Sequence, residues 1–313
     1  MQYDQLNYIP EEQDPSITIE TRDLIMKIID NTGLSLTENT DTKAAFSKYG
    51  TNGLVPFSHH LGYHGIRTLY DKTERRNIVV PFASSLNLQG AVLEGIESDP
   101  VDERAWAGMA RGWPIRMEAR GDGTILILDP LPKSQISYSI EFQPAEPDGI
   151  DFSIRFSLAK KPAEGPVQLK GSWPCYMNAY DDVRFHYPQG SAEDWQWASL
   201  GEQPDRVVGE SVGFTFLDDY YTVENQAFPM GYGRIGDYAM TLMFDDPSVQ
   251  FFVITSGGHT PTSSVQNPAW DFSWTVDDYP LNEEIGFNGR MTYSPFKGED
   301  KIMQGYNDWI NKK

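Results

Sequence analysis

Between residues 115 and 158 the chain spells out two successive β-hairpins, and no other stretch constrains the fold as much. Residues 115–120 meet 124–128 through Gly121-Asp122-Gly123, and residues 137–142 meet 150–158 through Pro147-Asp148-Gly149. Such Gly- and Pro-Asp-Gly connections are turn signals. The apolar and polar residues on either side alternate, as in strands with one face buried and one wet. Further strand-like runs lie at 16–21, 24–30, 66–71, 167–173, 183–187, 211–216, 238–244, 250–255 and 270–276, whereas only 300–312 reads as a helix. Many strands with no repeated helical partner argue against a βαβ framework. They predict an all-β chain, a large antiparallel β-sandwich with a short C-terminal helix. No Pro/Gly/Ser linker interrupts it, so the expected organisation is a polar arm at 1–15 followed by a single domain at 16–313.

Composition narrows the partners. Against 45 Asp and Glu stand 25 Lys and Arg, a formal charge of -20 that opposes phosphate contacts and anionic lipid. Nucleic acid and membrane are therefore not expected as partners. No apolar run approaches the roughly 20 residues needed to cross a bilayer, and the first residues lack a signal-peptide pattern. The compartment is open, with a periplasmic or secreted setting preferred to a cytoplasmic one. The lone Cys175 allows no intramolecular disulfide.

Three of the five histidines fall within Ser58-His59-His60-Leu61-Gly62-Tyr63-His64-Gly65, just before a strand-like run that contains Arg67. Imidazoles titrate near neutrality and ligate metals, so His59, His60 and His64, together with the more distant His259, are candidates for proton transfer, with Tyr63 as a neighbouring acid. His60 and His64 have the spacing of helical zinc ligands, although Gly62 and Gly65 argue against a helix; with His259 they form the candidate metal set. No cofactor is expected, a divalent zinc or calcium ion being the open alternative. Arg67 suits a substrate carboxylate or sulfate. Loop histidines bonded to backbone and a surface arginine are the plain alternatives.

A second cluster runs from Gly257-Gly258-His259 to Asn267-Pro268-Ala269-Trp270-Asp271. Sugar sites combine an aromatic platform with amides and carboxylates, which is what Asn267, Trp270 and Asp271 offer. Trp106 and Trp113 also stand in loop-like settings, although buried aromatics are the ordinary filling of a sandwich. Among the acidic pairs, Glu283-Glu284 ranks first because it precedes the turn-like Gly286-Phe287-Asn288-Gly289-Arg290. Glu284 is a candidate acid or base and Glu283 a substrate ligand. Gly209-Glu210-Ser211-Val212-Gly213 fits the serine-hydrolase pattern, but strand-like residues follow it where that motif needs a helix.

The run Gly65-Ile66-Arg67-Thr68-Leu69-Tyr70-Asp71-Lys72, with its polar turn to Asn77, resembles the early hairpin of the galactose-mutarotase-like β-supersandwich. The strands around Pro147-Asp148-Gly149 are similar to that superfamily too, and together the stretches cover roughly a third of the chain. The resemblance implies a supersandwich-like fold that binds carbohydrate on the concave face of one large sheet. Sugar epimerases, polysaccharide lyases and domains of glycoside hydrolases share that fold. The histidine motif of the aldose epimerases is not reproduced, since His59, His60 and His64 stand before the strand rather than after it, so catalytic roles do not carry over. The expected function is proton-transfer chemistry on a sugar or oligosaccharide, lyase or epimerase ahead of hydrolase. The alternative is a non-catalytic carbohydrate-binding or structural sandwich.

Overall fold

The computed structural model describes residues 16–30, 64–79, 85–97, 110, 113–177, 182, 184–198, 223, 225–256 and 268–312, with the backbone alone at 252–256. In chain order the first strands are β1 (Ser16–Glu20), β2 (Leu24–Ile29), β3 (Gly65–Asp71), β4 (Arg76–Asn77) and β5 (Gly90–Leu93). The central hairpins follow as β6 (Ile115–Arg120), β7 (Gly123–Leu128), β8 (Ile136–Ala145) and β9 (Gly149–Leu158). Next come β10 (Gln168–Trp173), β11 (Phe185–Pro188), β12 (Trp195–Ala198), β13 (Met230–Ile235) and β14 (Tyr238–Phe244). The last are β15 (Val249–Ser256), β16 (Pro268–Asp277), β17 (Glu284–Pro295) and the helix α1 (Glu299–Ile310).

All pairings are antiparallel, and the expected all-β sandwich with a C-terminal helix is what the chain forms. One sheet has nine strands in the order β12-β11-β13-β14-β17-β9-β8-β7-β6, and two sheets have four, β1-β2-β3-β4 and β15-β16-β10-β5. The two small sheets are stitched edge to edge. Ser85 bridges to Ile66, its hydroxyl donates to the Tyr176 carbonyl, and the Leu86 N–H donates to the Pro174 carbonyl. Together they form the layer that faces the nine-stranded sheet.

Alternation decides what enters the space between. On β9, Ile150, Phe152, Ile154, Phe156 and Leu158 are buried, and the intervening residues are not. Trp173 of β10 stacks on Phe272 at 5.3 Å and meets Phe287 of the large sheet edge-on at 5.5 Å. Phe272 in turn touches Phe244 at 4.6 Å. Each such side chain removed from water stabilises the fold by about 1.5–3 kcal/mol, and the ring geometry adds roughly 1 kcal/mol per pair.

Several strands depart from the sequence reading. Gly286 to Arg290, expected as a turn, lies inside the twelve-residue β17, and β5, β12 and β13 fall where no strand is expected. Glycine depresses strand propensity, but here close packing requires it. A Cβ at Gly286 would lie 1.9 Å from the Ile154 carbonyl oxygen, and one at Gly233 the same distance from the Trp270 ring. The expected arm at 1–15 and the run at 211–216 lie outside the described residues, as does Gly209 to Gly213.

Candidate functional site

The outer face of the nine-stranded sheet, turned away from the core, gathers the groups best suited to chemistry. On β13 the inward positions are Gly231 and Gly233, against Phe185 and Trp270, so Met230, Tyr232 and Arg234 point outward. His186 of β11 lies directly across from Tyr232 on one side and from Trp197 of β12 on the other. Directly paired residues share a face, and the rings accordingly meet. His186 and Tyr232 stack at 4.7 Å, Phe296 lies near-parallel to Tyr232 at 5.4 Å, and Trp195 meets it edge-on at 5.4 Å.

The Tyr232 hydroxyl donates to Glu299 Oε1 at 3.0 Å. Glu299 opens the first turn of α1, where the helix dipole favours a carboxylate. Burial, and then the Glu299 charge, push the Tyr232 hydroxyl above its ordinary range, so it keeps its proton at neutral pH. Burial chiefly lowers His186 to about 4; Asp182 opposes the shift, whereas Arg184 and Arg234 reinforce it. At neutral pH His186 is therefore an uncharged imidazole. Asp182 is engaged by the Arg184 guanidinium at 2.9 and 3.0 Å. The patch thus holds a proton donor, a carboxylate and a neutral imidazole; Tyr232 itself is buried, 3% exposed, while the His186, Trp195 and Phe296 rings around it are half-buried.

Phe296 also lines a groove of about 740 Å³ that continues the patch across β14 and β17. Its walls are the β1–β2 turn at Arg22 and Asp23, the β8–β9 turn at Asp148, the strand residues Thr241 and Thr292, and one flank of α1. Burial, reinforced by the Asp23 charge, raises the Asp148 carboxyl. Tyr293 lines the same groove, and its buried hydroxyl has no hydrogen-bond partner among the described residues. A smaller pocket of about 280 Å³ lies against Trp309, floored by Asp151 and Arg290, which are joined by two hydrogen bonds of 2.7 Å.

The residues singled out from the sequence are dispersed. His64 is buried between the layers; its Nε2 accepts from the Leu88 N–H at 3.0 Å, and its Nδ1 has no partner among the described residues. Burial lowers it to about 3, which leaves it neutral and shielded from solvent. Trp113 and Trp270 are core residues, 1% and 0% exposed, rather than platforms open to a sugar. Asp271 is buried, accepts from the Cys175 N–H at 3.2 Å, and is raised well above the carboxylate range by burial. Glu283 and Glu284 are exposed, Glu284 3.7 Å from Arg155, and Arg67 is half-buried on β3. His59, His60, Tyr63, Trp106, His259 and Asn267 lie outside the described residues. Among the described residues no three His, Cys, Asp or Glu side chains converge as for a metal ion, and of the expected ligand set only His64 is described. None of the described helices is long and apolar enough to cross a membrane.

Tyr232, Glu299, His186 and Arg234 were not singled out in the sequence. The available signal was a short run whose inward positions are glycines and whose outward positions are tyrosine and arginine. It becomes legible only once Gly231 and Gly233 are known to face Phe185 and Trp270.

Comparison with known proteins gives no family. No family model matches the chain, and no curated protein does. Among solved structures, a 4-alpha-glucanotransferase from Thermococcus litoralis aligns over 90% of this chain and 38% of its own, at 10% identity and a TM-score of 0.42. A heparan sulfate lyase from Pedobacter heparinus aligns over 89% of this chain and 31% of its own, at 8% identity and a TM-score of 0.31. This chain thus spans only about a third of the length of either protein. Both neighbours are carbohydrate-active enzymes, but likeness of this degree assigns no activity here.

Proposed function

We propose that this chain acts on carbohydrate, holding a saccharide on the outer face of the nine-stranded sheet. Tyr232, Glu299 and His186 would move a proton at a sugar carbon or at the glycosidic oxygen. The observation that carries the reading is the buried Tyr232 hydroxyl, 3.0 Å from Glu299 and packed among His186, Trp195 and Phe296, the last of which lines the neighbouring groove. Ring faces match the apolar side of a pyranose, and carboxylates and hydroxyls match its OH groups. A tyrosine that keeps its proton at neutral pH serves as an acid, and a carboxylate or a neutral imidazole serves as a base. Lyase or epimerase chemistry uses both. Hydrolysis by a carboxylate pair has less support, because Glu299 is the one carboxylate bonded to Tyr232 and the patch's other carboxylate, Asp182, is held by Arg184.

The test is a turnover screen on neutral, uronate and sulfated oligosaccharides read by mass spectrometry. Chain cleavage without water uptake identifies elimination, water gain identifies hydrolysis, and unchanged mass with altered retention identifies epimerisation. Tyr232→Phe and Glu299→Gln are expected to slow turnover by roughly 10²-fold or more while the fold is retained. Binding without turnover is the second reading, favoured by the engagement of the Tyr232 hydroxyl within the protein. Saccharide bound by wild type, with no product from any substrate, selects it. No binding and no product sinks both.

A further inference from the structure

We propose that the saccharide carries an oxyanion, a carboxylate or a sulfate ester, and that Arg234 is its seat; this rests on the carbohydrate reading of the same patch. In a chain with 45 acids, arginines find partners readily. Arg22, Arg116, Arg120, Arg155, Arg184 and Arg290 each lie within ion-pair distance of an Asp or Glu. Arg234 forms no ion pair among the described residues. Among the described residues its side chain makes one hydrogen bond, from Nη2 to the Gly236 carbonyl at 2.9 Å, and its buried Nε has no hydrogen-bond partner.

The guanidinium is nevertheless held in place. Its Cζ lies 4.1 Å from the centre of the Phe296 ring, the same ring that packs beside Tyr232 and lines the groove. Stacking of this kind fixes the plane of the fork and leaves its remaining N–H donors directed along its edge. The neighbouring acids are already engaged, Asp182 by Arg184 and Glu299 by the Tyr232 hydroxyl. Among the described residues, the cation of the patch that lacks an acid partner is Arg234. A carboxylate or sulfate matches its fork with two parallel hydrogen bonds, which a neutral hydroxyl cannot do. Arg234 therefore selects for charge, and the rings beside it accept the sugar.

Titration calorimetry tests this with paired oligosaccharides of equal length, one neutral, one uronate and one sulfated. The anionic members are expected to bind roughly 10-fold to 100-fold more tightly than the neutral one, the range of a charge-assisted hydrogen bond. Arg234→Gln is expected to collapse that ratio towards one, and Arg234→Lys to restore part of it. Circular dichroism of both variants confirms that the fold is kept. Equal affinity of wild type for neutral and anionic members, or a ratio unchanged in Arg234→Gln, overturns the proposal. Comparing the uronate and sulfated arms identifies which oxyanion is preferred. Inorganic sulfate, titrated against the Arg Nε–H resonances of wild type and Arg234→Gln, separates this proposal from the carbohydrate reading. Sulfate that shifts the Arg234 signal while no saccharide binds keeps the anion seat and removes the sugar. Saccharide that binds while sulfate leaves that signal unmoved does the reverse.

Discussion

At the scale of single residues, burial governs the ionisable groups, and two of them pull stability in opposite directions with pH. His64 is lowered to about 3 when folded, so the unfolded chain takes up its proton first as pH falls through about 6.5. Stability from His64 is thus complete above that value and is lost towards the folded value, by about 2 kcal/mol at pH 5 for a histidine this deeply buried. Asp271 is raised. Its folded form keeps a proton that the unfolded chain releases above about pH 4, so its contribution is present below that value and declines as pH rises. Urea unfolding at pH 5 and pH 7 should therefore show His64→Gln flattening the acid limb. Asp271→Asn, which retains an acceptor for the Cys175 N–H, should stabilise the protein at pH 7 by about 1–3 kcal/mol. An acid limb unchanged in His64→Gln would show that another group is responsible. Gly233 makes a packing prediction at the same scale. A methyl there meets the Trp270 ring, so Gly233→Ala should cost about 1–3 kcal/mol in the same melts, the usual penalty of an overfilled core.

At the scale of elements, the nine-stranded sheet has two faces with different tasks, and α1 occupies part of the outer one. Met303, Tyr306 and Trp309 of the helix bury against Met230 and Met243 of the sheet. The helix start sets Glu299 beside Tyr232, and its end sets Trp309 between the groove and the smaller pocket. Trp309 is 4% exposed, and Trp309→Ala should lower unfolding free energy by about 3–5 kcal/mol, as truncation of a buried aromatic does. It should also loosen the Tyr232–Glu299 contact, read as lost turnover or weakened saccharide binding. A stability loss with the site unaffected would mean that the start of the helix is fixed independently of its end.

At the scale of the whole molecule, one apolar cluster runs from Ile19 of β1 through Trp173 of β10 to Tyr293 of β17, drawing on all three sheets. A shared core of this kind unfolds as a unit. Tryptophan fluorescence and far-ultraviolet circular dichroism should therefore report one coincident transition in urea; two separated transitions would mean that the small sheets fold apart from the large one.

What the sequence determined by itself was local: the two central hairpins, the alternation that fills the core, the C-terminal helix and the acidic surface. Those features are written in neighbouring residues, because strand period and turn chemistry need only a few positions to register. Tertiary structure decided which histidine is buried and which stands on a face. His64, conspicuous in its cluster, is a core residue, whereas His186, isolated in sequence, lies beside Tyr232 on the outer face. It also decided that Gly231, Gly233, Gly286 and Gly289 belong to strands, because the atoms that exclude a side chain there come from Phe185, Trp270, Ile154 and Phe152, remote in the chain. The Tyr232–Glu299 pair, 67 residues apart in sequence, exists only because a strand and a helix start were packed against each other, and no local pattern encodes that contact.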